Sequence, residues 1–195
     1  DWKAELQEPY ERASTMLGVV DNPDRGKMDD WLWATADAMG VAETFGPVPQ
    51  GIHFGRAGEE VSDPFFGGQG PVRTGCTRCG RCLTGCADGA KNSLDKNYLY
   101  MAEARGATIL PERKAVSIRP LPEGGYEVQT VDPARARARH EPLRAKKVIV
   151  AAGVVGTLQL LFRCRDELGT LPGLSKRLGE LVRTNSEAIV AALAR

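Results

Sequence analysis

Residues Val148 to Leu161 read VIVAAGVVGTLQLL, and this stretch decides the fold. Its apolar run Val148–Ala152 is typical of a central strand that is buried on both faces. Gly153 follows at once, Gly156 comes soon after, and apolar residues then recur at helical spacing. A strand that leads through glycine into a helix lets backbone N–H groups approach a cofactor closely. The spacing is equally compatible with a βα turn that merely requires glycine.

The glycine-rich dinucleotide turn is missing from this sequence. No Gly-x-Gly-x-x-Gly occurs with an acidic residue about twenty positions further on. If the protein binds a dinucleotide, we expect the main phosphate-binding turn outside this chain. The chain begins at Asp1 rather than at a Met and stops at Arg195, at the end of the apolar stretch that contains Ala188–Leu193. Both ends favour the interpretation that it is an internal fragment of a longer protein.

The segment Trp2–Gly40 has helical periodicity. Pro9 is expected to end or kink the first helix, because proline removes a hydrogen-bond donor from a helix interior. A second helix is predicted from Lys27 to Met39, closed by Gly40. Its large apolar residues are predicted to pack in a core; these are Trp31, Leu32 and Met39.

The rest of the chain alternates loops with regular elements. Phe45–Gly75 is rich in Gly and Pro, and we predict either a functional loop or lid or a segment that wraps another part of the fold. Ser93 is predicted to cap a helix that runs to about Arg105. Two strands are predicted after it, at Ala115–Arg119 and Tyr126–Val131. The basic segment that follows is predicted to be a solvated hairpin tip, because it lacks the aromatic residues that stack bases; it comprises Arg135, Arg137, Arg139, Arg144, Lys146 and Lys147.

The composition argues against several classes of function. The chain has 195 residues, of which 42% are hydrophobic and 26% charged, as in an ordinary globular protein. Its net charge of +1 provides no field for nucleic acid or for an anionic membrane. The longest apolar stretch, Val148–Val155, is too short to span a bilayer. The lack of a leader and the clustered cysteines together favour a cytoplasmic location.

Four of the five cysteines form the run Cys76-x2-Cys79-x2-Cys82-x3-Cys86. This is the spacing of a bacterial ferredoxin run, and four thiolates so close together are suited to surround a metal. An iron–sulfur cluster is the favoured interpretation, a tetrahedral zinc site the second, and thiols or disulfides without metal the third. Ala87 stands where ferredoxins have proline. Cys164, outside the run, is predicted to be a buried small hydrophobic residue.

Three blocks of sequence together resemble the glucose–methanol–choline (GMC) oxidoreductases. They are GAKNSLDKNYL from Gly89 to Leu99, the stretch quoted first, and GTLPGLS from Gly169 to Ser175. The order of the blocks and the turn at residues 124–126 are similar to the bacterial cholesterol-oxidase-like branch of that family. The resemblance is firm over about residues 85–185 and looser over residues 2–75.

The resemblance implies an α/β (α+β) fold, in which this chain is part of a Rossmann-type FAD-binding domain with adjoining segments of a substrate domain. The implied division is residues 1–75 on the cap or substrate-domain side, 76–90 as the cysteine-rich loop, 91–175 in the FAD-binding domain, and 176–195 at the start of the substrate domain. Val116 would hold the adenine of FAD with backbone groups. Ala152 and Gly153 would lie where the sheet meets the dinucleotide, with Gly156 on the helix that follows.

The activity implied by the resemblance is FAD-dependent oxidation of CH–OH groups, with a sterol or another bulky hydrophobic alcohol as substrate. The protein would align alcohol and flavin and exclude water. The family's catalytic histidine is missing here, and neither His53 nor His140 matches its position, so no catalytic residue is predicted. An iron–sulfur site would carry flavin electrons to an acceptor other than oxygen. The alternative, from another class, is an iron–sulfur or zinc module for electron transfer or structure, without flavin catalysis.

Overall fold

A computed structural model describes residues 1–135 and 138–185. The chain divides into two compact units, Asp1–Ile109 and Leu110–Arg195. In the described residues, helices accompany small sheets whose strands pair antiparallel. This mixture agrees with the predicted α/β class in the coarse sense. The Rossmann-type sheet and the four-part division implied by the resemblance stay predictions.

Short helices and two-residue strands make up the first unit. The helices are α1 (Trp2–Met16), α2 (Lys27–Ala38) and α3 (Tyr98–Ala104), with 3-10 turns at Ala42–Thr44 and Leu94–Lys96. The strands are β1 (Val20–Asp21), β2 (Pro49–Gln50), β3 (Glu60–Val61) and β4 (Arg73–Thr74); β1 pairs with β2, and β3 with β4. Because such strands contribute few ladder hydrogen bonds, side chains hold the loops between them.

Helix α1 continues through Pro9, so of the two predicted effects, an end or a kink, the proline does not end the helix. Proline removes one helical hydrogen bond, but two side-chain pairs bridge the same turn. Gln7 donates to Glu11 at 3.1 Å and Arg12 donates to Glu8 at 2.6 Å. Pairs at this spacing support a helix, which offsets part of the loss.

Helix α2 lies where the second helix was predicted, but its apolar residues are not in a core. Trp31 is 56% exposed, Leu32 58% and Met39 72%. The prediction that they pack in a core is therefore wrong for this chain. An apolar helix stripe is buried only where another element covers it. The 3-10 turn Ala42–Thr44 lies against α2 but leaves these three side chains exposed.

The predicted helix after Ser93 starts later than expected. The 3-10 turn comes first, and Asn97 then caps α3 by accepting from the Tyr98 backbone N–H at 2.5 Å. The Ser93 hydroxyl instead donates to Asp95 at 2.5 Å. The Ser93 side chain therefore caps no helix, and the side-chain cap lies four residues further on, at Asn97.

A single carboxylate organises the loop between β3 and β4. Asp63 accepts backbone N–H groups at distances of 2.7 to 3.1 Å; the donors are Phe65, Phe66, Gly68 and Gly70. Partial burial raises the pKa of Asp63, but the four N–H donors outweigh it and leave the pKa below its ordinary value. This end of the predicted lid is thus internally braced.

The second unit is built on the antiparallel sheet β5–β6–β7. Its elements are β5 (Lys114–Pro120), β6 (Tyr126–Val131), β7 (Leu143–Ala145) and helix α4 (Gly153–Phe162), which continues into a π-helical turn at Arg163–Glu167. Ile118, Leu160 and Cys164 form its core. The Cys164 sulfur accepts the Ile118 N–H at 3.3 Å, so the predicted burial of Cys164 is confirmed.

Strands β5 and β6 confirm the two predicted strands, and β6 forms a hairpin with β7. The register of β5 shifts between Ala115 and Ser117, so Val116 is the extra residue of a bulge. The basic segment is exposed along the hairpin, as predicted for a solvated tip. Its residue Arg137 lies outside the described residues.

The apolar run Val148–Ala152 is not a strand. Ile149 is 92% exposed, whereas Val148 and Val150 pack against the core of the second unit. The prediction of a central strand buried on both faces is therefore wrong for this chain. Such a strand needs a neighbour on each side, and no described residue pairs with it.

Two further expectations concern the ends and the membrane. The apolar run Ala188–Leu193 lies outside the described residues, as does the second half of the segment 176–195. Among the helices of the described chain, none combines the length and the apolar character needed to cross a bilayer.

Candidate cofactor cavity and cysteine site

Three of the four residues predicted to hold FAD line one cavity in the second unit. Val116 of β5, Ala152 before α4 and Gly156 on its first turn border a concave space of about 880 Å³. This volume lies within the range of ligand pockets, about 300–1,000 Å³. Gly153, the fourth residue, starts α4 but does not line the cavity. Three residues that the family resemblance assigned to FAD therefore lie around one cavity, and their role in binding FAD stays a prediction.

The start of α4 is open. Gly153 has a φ of +70°, which favours glycine, and no atom lies within 4 Å of the position that its Cβ would take. Ala152, the N-cap residue, provides no side-chain cap for the first helical N–H groups. An uncapped helix start beside a cavity suits a polar or anionic ligand.

The bulge in β5 explains how Val116 can contribute backbone groups. In the ladder with β6, Ala115 pairs with Thr130 and Ser117 with Gln129, so Val116 has no partner in the register. The extra residue of a bulge is left out of the ladder, and bulges often lie beside binding sites. The backbone of Val116 is thus placed at the cavity without a strand partner.

The cavity also has a cationic lining that the sequence did not predict. Arg113 and Lys114 lie just before Val116, and Arg163 follows α4, with Glu167 as the acidic neighbour. Guanidinium and ammonium groups are the usual partners of phosphate oxygens. The sequence signal that could have predicted this lining is the basic pair Arg113 and Lys114, directly before the predicted strand that contains Val116.

The four cysteines of the run line one cavity in the first unit, together with Gly80 and Gly85 among others. All four are free thiols; Cys79 is exposed and the other three are half-buried. The structure thus brings the predicted ligands to one place. Within residues 1–135 and 138–185, however, no three His, Cys, Asp or Glu side chains have the geometry to hold a metal ion. The metal assignment stays a prediction.

Backbone N–H groups point at two of these sulfur atoms. Arg78 N–H donates to Cys76 Sγ and Lys91 N–H donates to Cys86 Sγ, both at 3.4 Å. Burial raises the pKa of the Cys86 thiol, but the N–H groups of residues 88–91 outweigh it and lower the pKa below its ordinary value. Cys86 therefore lies in a backbone nest that favours the thiolate.

A buried arginine supports this nest. Arg73 is 1% exposed, and its Nε and Nη2 donate to the carbonyl oxygens of Gly89 and Ala90, each at 2.8 Å. Its Nη1 donates to Asn92 Oδ1. Burial lowers the pKa of Arg73, and the nearby Cys86 opposes that shift. Arg73 was not predicted from the sequence, because nothing in its local pattern marks it as buried.

Neither histidine is among the residues that line the cavity beside α4. Burial, and then the charge of Arg73, lower the pKa of His53, so its imidazole is neutral near pH 7. The imidazole ring of His53 packs edge-on against the Phe65 ring, with 5.9 Å between the two ring centroids. His140 Nε2 is buried without a hydrogen-bond partner among the described residues.

Comparison with known proteins identifies the family. Residues 69–165 match the family model described as GMC oxidoreductase. This span contains the cysteine run, β5 and the whole of α4. The chain belongs to the GMC oxidoreductase family, in the cholesterol-oxidase-like branch. The resemblance seen in three blocks of sequence is thereby confirmed.

The relatives within that branch are bacterial. The chain is 47% identical over 198 residues to a cholesterol oxidase of Mycobacterium tuberculosis (strain CDC 1551 / Oshkosh), covering 98% of this chain and 34% of the relative. It is 42% identical over 200 residues to a cholesterol oxidase of Acinetobacter baumannii, covering 97% of this chain and 36% of the relative. The chain thus spans about a third of the length of these curated relatives.

Proposed function

We propose that this chain is part of an FAD-dependent oxidoreductase that acts on CH–OH groups of a small-molecule donor. The observation that carries the proposal is the cavity beside α4. Val116, Ala152 and Gly156 were assigned to FAD by family resemblance alone, and they border the same space. When bound, FAD accepts the hydride from the alcohol carbon.

The residues of the chain have distinct parts in this proposal. Val116 presents to the adenine a backbone that has no partner in the β-ladder. The basic side chains of Arg113, Lys114 and Arg163 neutralise the pyrophosphate. Gly153 and Gly156 have no side chains at two positions of the first turn of α4, so that the backbone there can approach the dinucleotide. The chain therefore acts as cradle and scaffold, and the base that takes the hydroxyl proton is neither of its histidines.

We propose a sterol or another bulky hydrophobic alcohol as the substrate, since both relatives described above carry the name cholesterol oxidase. An electron acceptor, oxygen or another, completes the turnover. We place the enzyme in the cytoplasm, because four closely spaced thiols that are all free fit a reducing compartment.

We propose a second cofactor on the cysteine run, an iron–sulfur cluster, with zinc as the alternative. Its support is the ferredoxin-like spacing together with the single cavity that the four free thiols line. A module with iron–sulfur or zinc but without flavin is not favoured, because the family membership implies FAD.

The decisive experiment uses the complete polypeptide that the gene encodes. After purification, released flavin is identified by chromatography, and apoprotein is titrated with FAD. We expect one FAD per chain and anaerobic bleaching of the flavin absorbance by 3β-hydroxysterols. A protein that neither contains nor takes up FAD overturns the flavoenzyme. If short alcohols bleach the flavin but sterols do not, the protein is still an FAD-dependent alcohol oxidoreductase, and only the sterol assignment is overturned.

A further inference from the structure

We infer that strand β7 is a docking edge for an acidic, extended segment of a partner protein, which adds to the sheet β5–β6–β7 as a further strand. The docking edge lies in the basic hairpin of the second unit, which neither the cavity assigned to FAD nor the cysteine run explains. It does not depend on a bound flavin.

One side of β7 is a free strand edge. β7 pairs with β6, and among the residues that the structure describes no strand pairs with its other side. All three residues of β7 are exposed. A strand in this position presents unpaired backbone N–H and C=O groups, which are a template for one more strand.

One face of the sheet carries a row of alternating charges that ends on a cation. Arg119 of β5 lies opposite Glu127 of β6, and Glu127 lies opposite Arg144 of β7. The Glu127 carboxylate serves both guanidinium groups, at 2.6 Å from Arg119 and 3.3 Å from Arg144. Opposite charges that face each other stabilise neighbouring strands. The next position in the row, beside Arg144, therefore favours an acidic side chain.

The other face of the sheet carries an apolar row that ends on a partly uncovered side chain. Ile118 lies opposite Val128, and Val128 lies opposite Leu143. Ile118 is 4% exposed, whereas Leu143 is 39% exposed. An apolar side chain beside Leu143 would remove this surface from water. The added strand therefore needs an acidic and an apolar residue in adjacent positions, because successive side chains of a strand point to opposite faces.

Further cations lie before and after β7. Six of the thirteen residues 135–147 are Arg or Lys, and Glu141 is the acidic one. Lys146 and Lys147 follow β7 directly; both are exposed, and neither forms an ion pair among the described residues. A second copy of the chain paired through β7 would bring such cations together, and like charges on facing strands are destabilising. Charge complementarity therefore favours an acidic partner segment over a second copy.

The experiment measures, by fluorescence anisotropy, the binding of short labelled peptides to the complete polypeptide that the gene encodes. One peptide alternates Glu and Val, and a second alternates Lys and Val. A third has the Glu–Val sequence with N-methylated backbone amides, so it keeps the charge but loses hydrogen bonds that a strand needs. Phosphatidylserine vesicles and duplex DNA are titrated in parallel.

The principal variant is Arg144→Glu, which reverses the charge at the end of the row. Arg144→Gln removes the charge without reversing it and serves if Arg144→Glu does not fold. Arg177→Glu is the matched control, because Arg177 lies in the same unit, is 75% exposed and belongs to no strand. Far-UV circular dichroism verifies that each variant is folded.

We expect the wild type to bind the Glu–Val peptide but neither of the other two peptides. Arg144→Glu should weaken binding of the Glu–Val peptide about tenfold, because an attractive cross-strand pair becomes a repulsive one. The same variant should gain affinity for the Lys–Val peptide, whereas Arg144→Gln should fall in between and Arg177→Glu should match the wild type. Hydrogen exchange at residues 143–145 should slow when the Glu–Val peptide is bound.

Each contrary result has a distinct meaning. A wild type that does not bind the Glu–Val peptide overturns the docking edge. Equal binding of the N-methylated peptide overturns the added strand, because charge alone then suffices. Equal affinity of Arg144→Glu and wild type for the Glu–Val peptide removes the site from β7. Vesicles or DNA that bind more tightly than the Glu–Val peptide overturn the protein partner in favour of a lipid or a nucleic acid. No readout involves flavin, so a failure of FAD binding leaves this test unaffected.

Discussion

Gly75 lies where two stretches of backbone approach too closely for a side chain. Its N–H donates to the Glu59 carbonyl at 2.9 Å, and its own carbonyl accepts from Gly58 at 3.0 Å. A Cβ built on Gly75 would stand 1.9 Å from the Arg56 carbonyl oxygen. Since Cys76 follows directly, this contact also sets where the cysteine run begins.

We expect Gly75→Ala to destabilise the protein by about 1–3 kcal/mol, the usual cost of forcing extra volume into a packed site. The matched control is Gly46→Ala, because no atom lies within 4 Å of the Cβ position of Gly46. Chemical denaturation measures both variants. Equal stability of the two variants would show that the Arg56 carbonyl moves aside at no cost.

Glu127 makes part of the stability of the second unit dependent on pH. Arg119 donates to it at 2.6 Å and Arg144 at 3.3 Å, and the hydrogen bond from Arg119 is the main cause that lowers the pKa of Glu127. A carboxyl with a depressed pKa stabilises the fold above its unfolded pKa of about 4.3, and this contribution is lost as pH falls through the folded pKa.

Glu127→Gln should therefore lower the stability at pH 7 and have a shrinking effect as the pH is reduced toward about 3. Urea denaturation across this range measures the difference from wild type. Glu141→Gln serves as the control, since Glu141 is exposed and belongs to the same hairpin. A difference between wild type and Glu127→Gln that is independent of pH would contradict the electrostatic origin.

At the scale of elements, helix α4 also forms part of the wall of the cavity assigned to FAD. Gly156 lies on its first turn and lines the cavity assigned to FAD, and a Cβ there would meet only Ala152 Cβ, at 3.3 Å. Alanine in place of glycine supports a helix by up to about 1 kcal/mol. The same methyl group would nevertheless narrow the space for the dinucleotide.

Gly156→Ala is expected to fold with unchanged or higher thermal stability and to bind FAD about tenfold more weakly, which corresponds to a steric cost of about 1.4 kcal/mol. The measurement is a fluorescence titration of apoprotein with FAD. Gly173→Ala, with no atom near its Cβ position, is the control. Unchanged FAD affinity in Gly156→Ala would remove this cavity from the proposed cofactor site.

Elements whose partners are nearby in sequence were the ones that the sequence predicted well. Strands β5 and β6 form a hairpin whose register their own alternation supports, and both were found. The prediction of a strand at Val148–Ala152 was wrong, because a central strand depends on neighbouring strands that the periodicity of its own sequence does not reveal. Likewise the motif at Gly153 and Gly156 was visible, but the support that Arg73 gives to Cys86 was not, since it joins residues far apart along the chain.

At the scale of the molecule, large apolar side chains remain uncovered. All three tryptophans of the sequence, Trp2, Trp31 and Trp33, lie on α1 and α2 and are exposed. The chain spans about a third of its curated relatives, and a longer polypeptide would provide surface to bury these faces. Exposed apolar patches of this kind usually mark contacts.

We expect the tryptophan emission of the 195-residue chain to resemble that of indole in water and to be fully quenched by acrylamide. In the complete polypeptide, the emission should shift to the blue and quenching should weaken, because the indole rings leave water on burial. A blue-shifted, protected emission in the short chain would show that α1 and α2 already pack within it.

The bracing of the loop by Asp63 limits which changes this position can accept. Four main-chain donors converge on its two oxygens. Asparagine, one nucleotide change away, would turn a donor group toward other donors, and glutamate would move the carboxylate outward by one methylene. The loop also limits two of its donors, because Gly68 has a φ of +87° and a Cβ on Gly70 would stand 2.5 Å from the Phe66 ring. The sequence constraint on this loop therefore falls on one carboxylate and on the two glycines that face it.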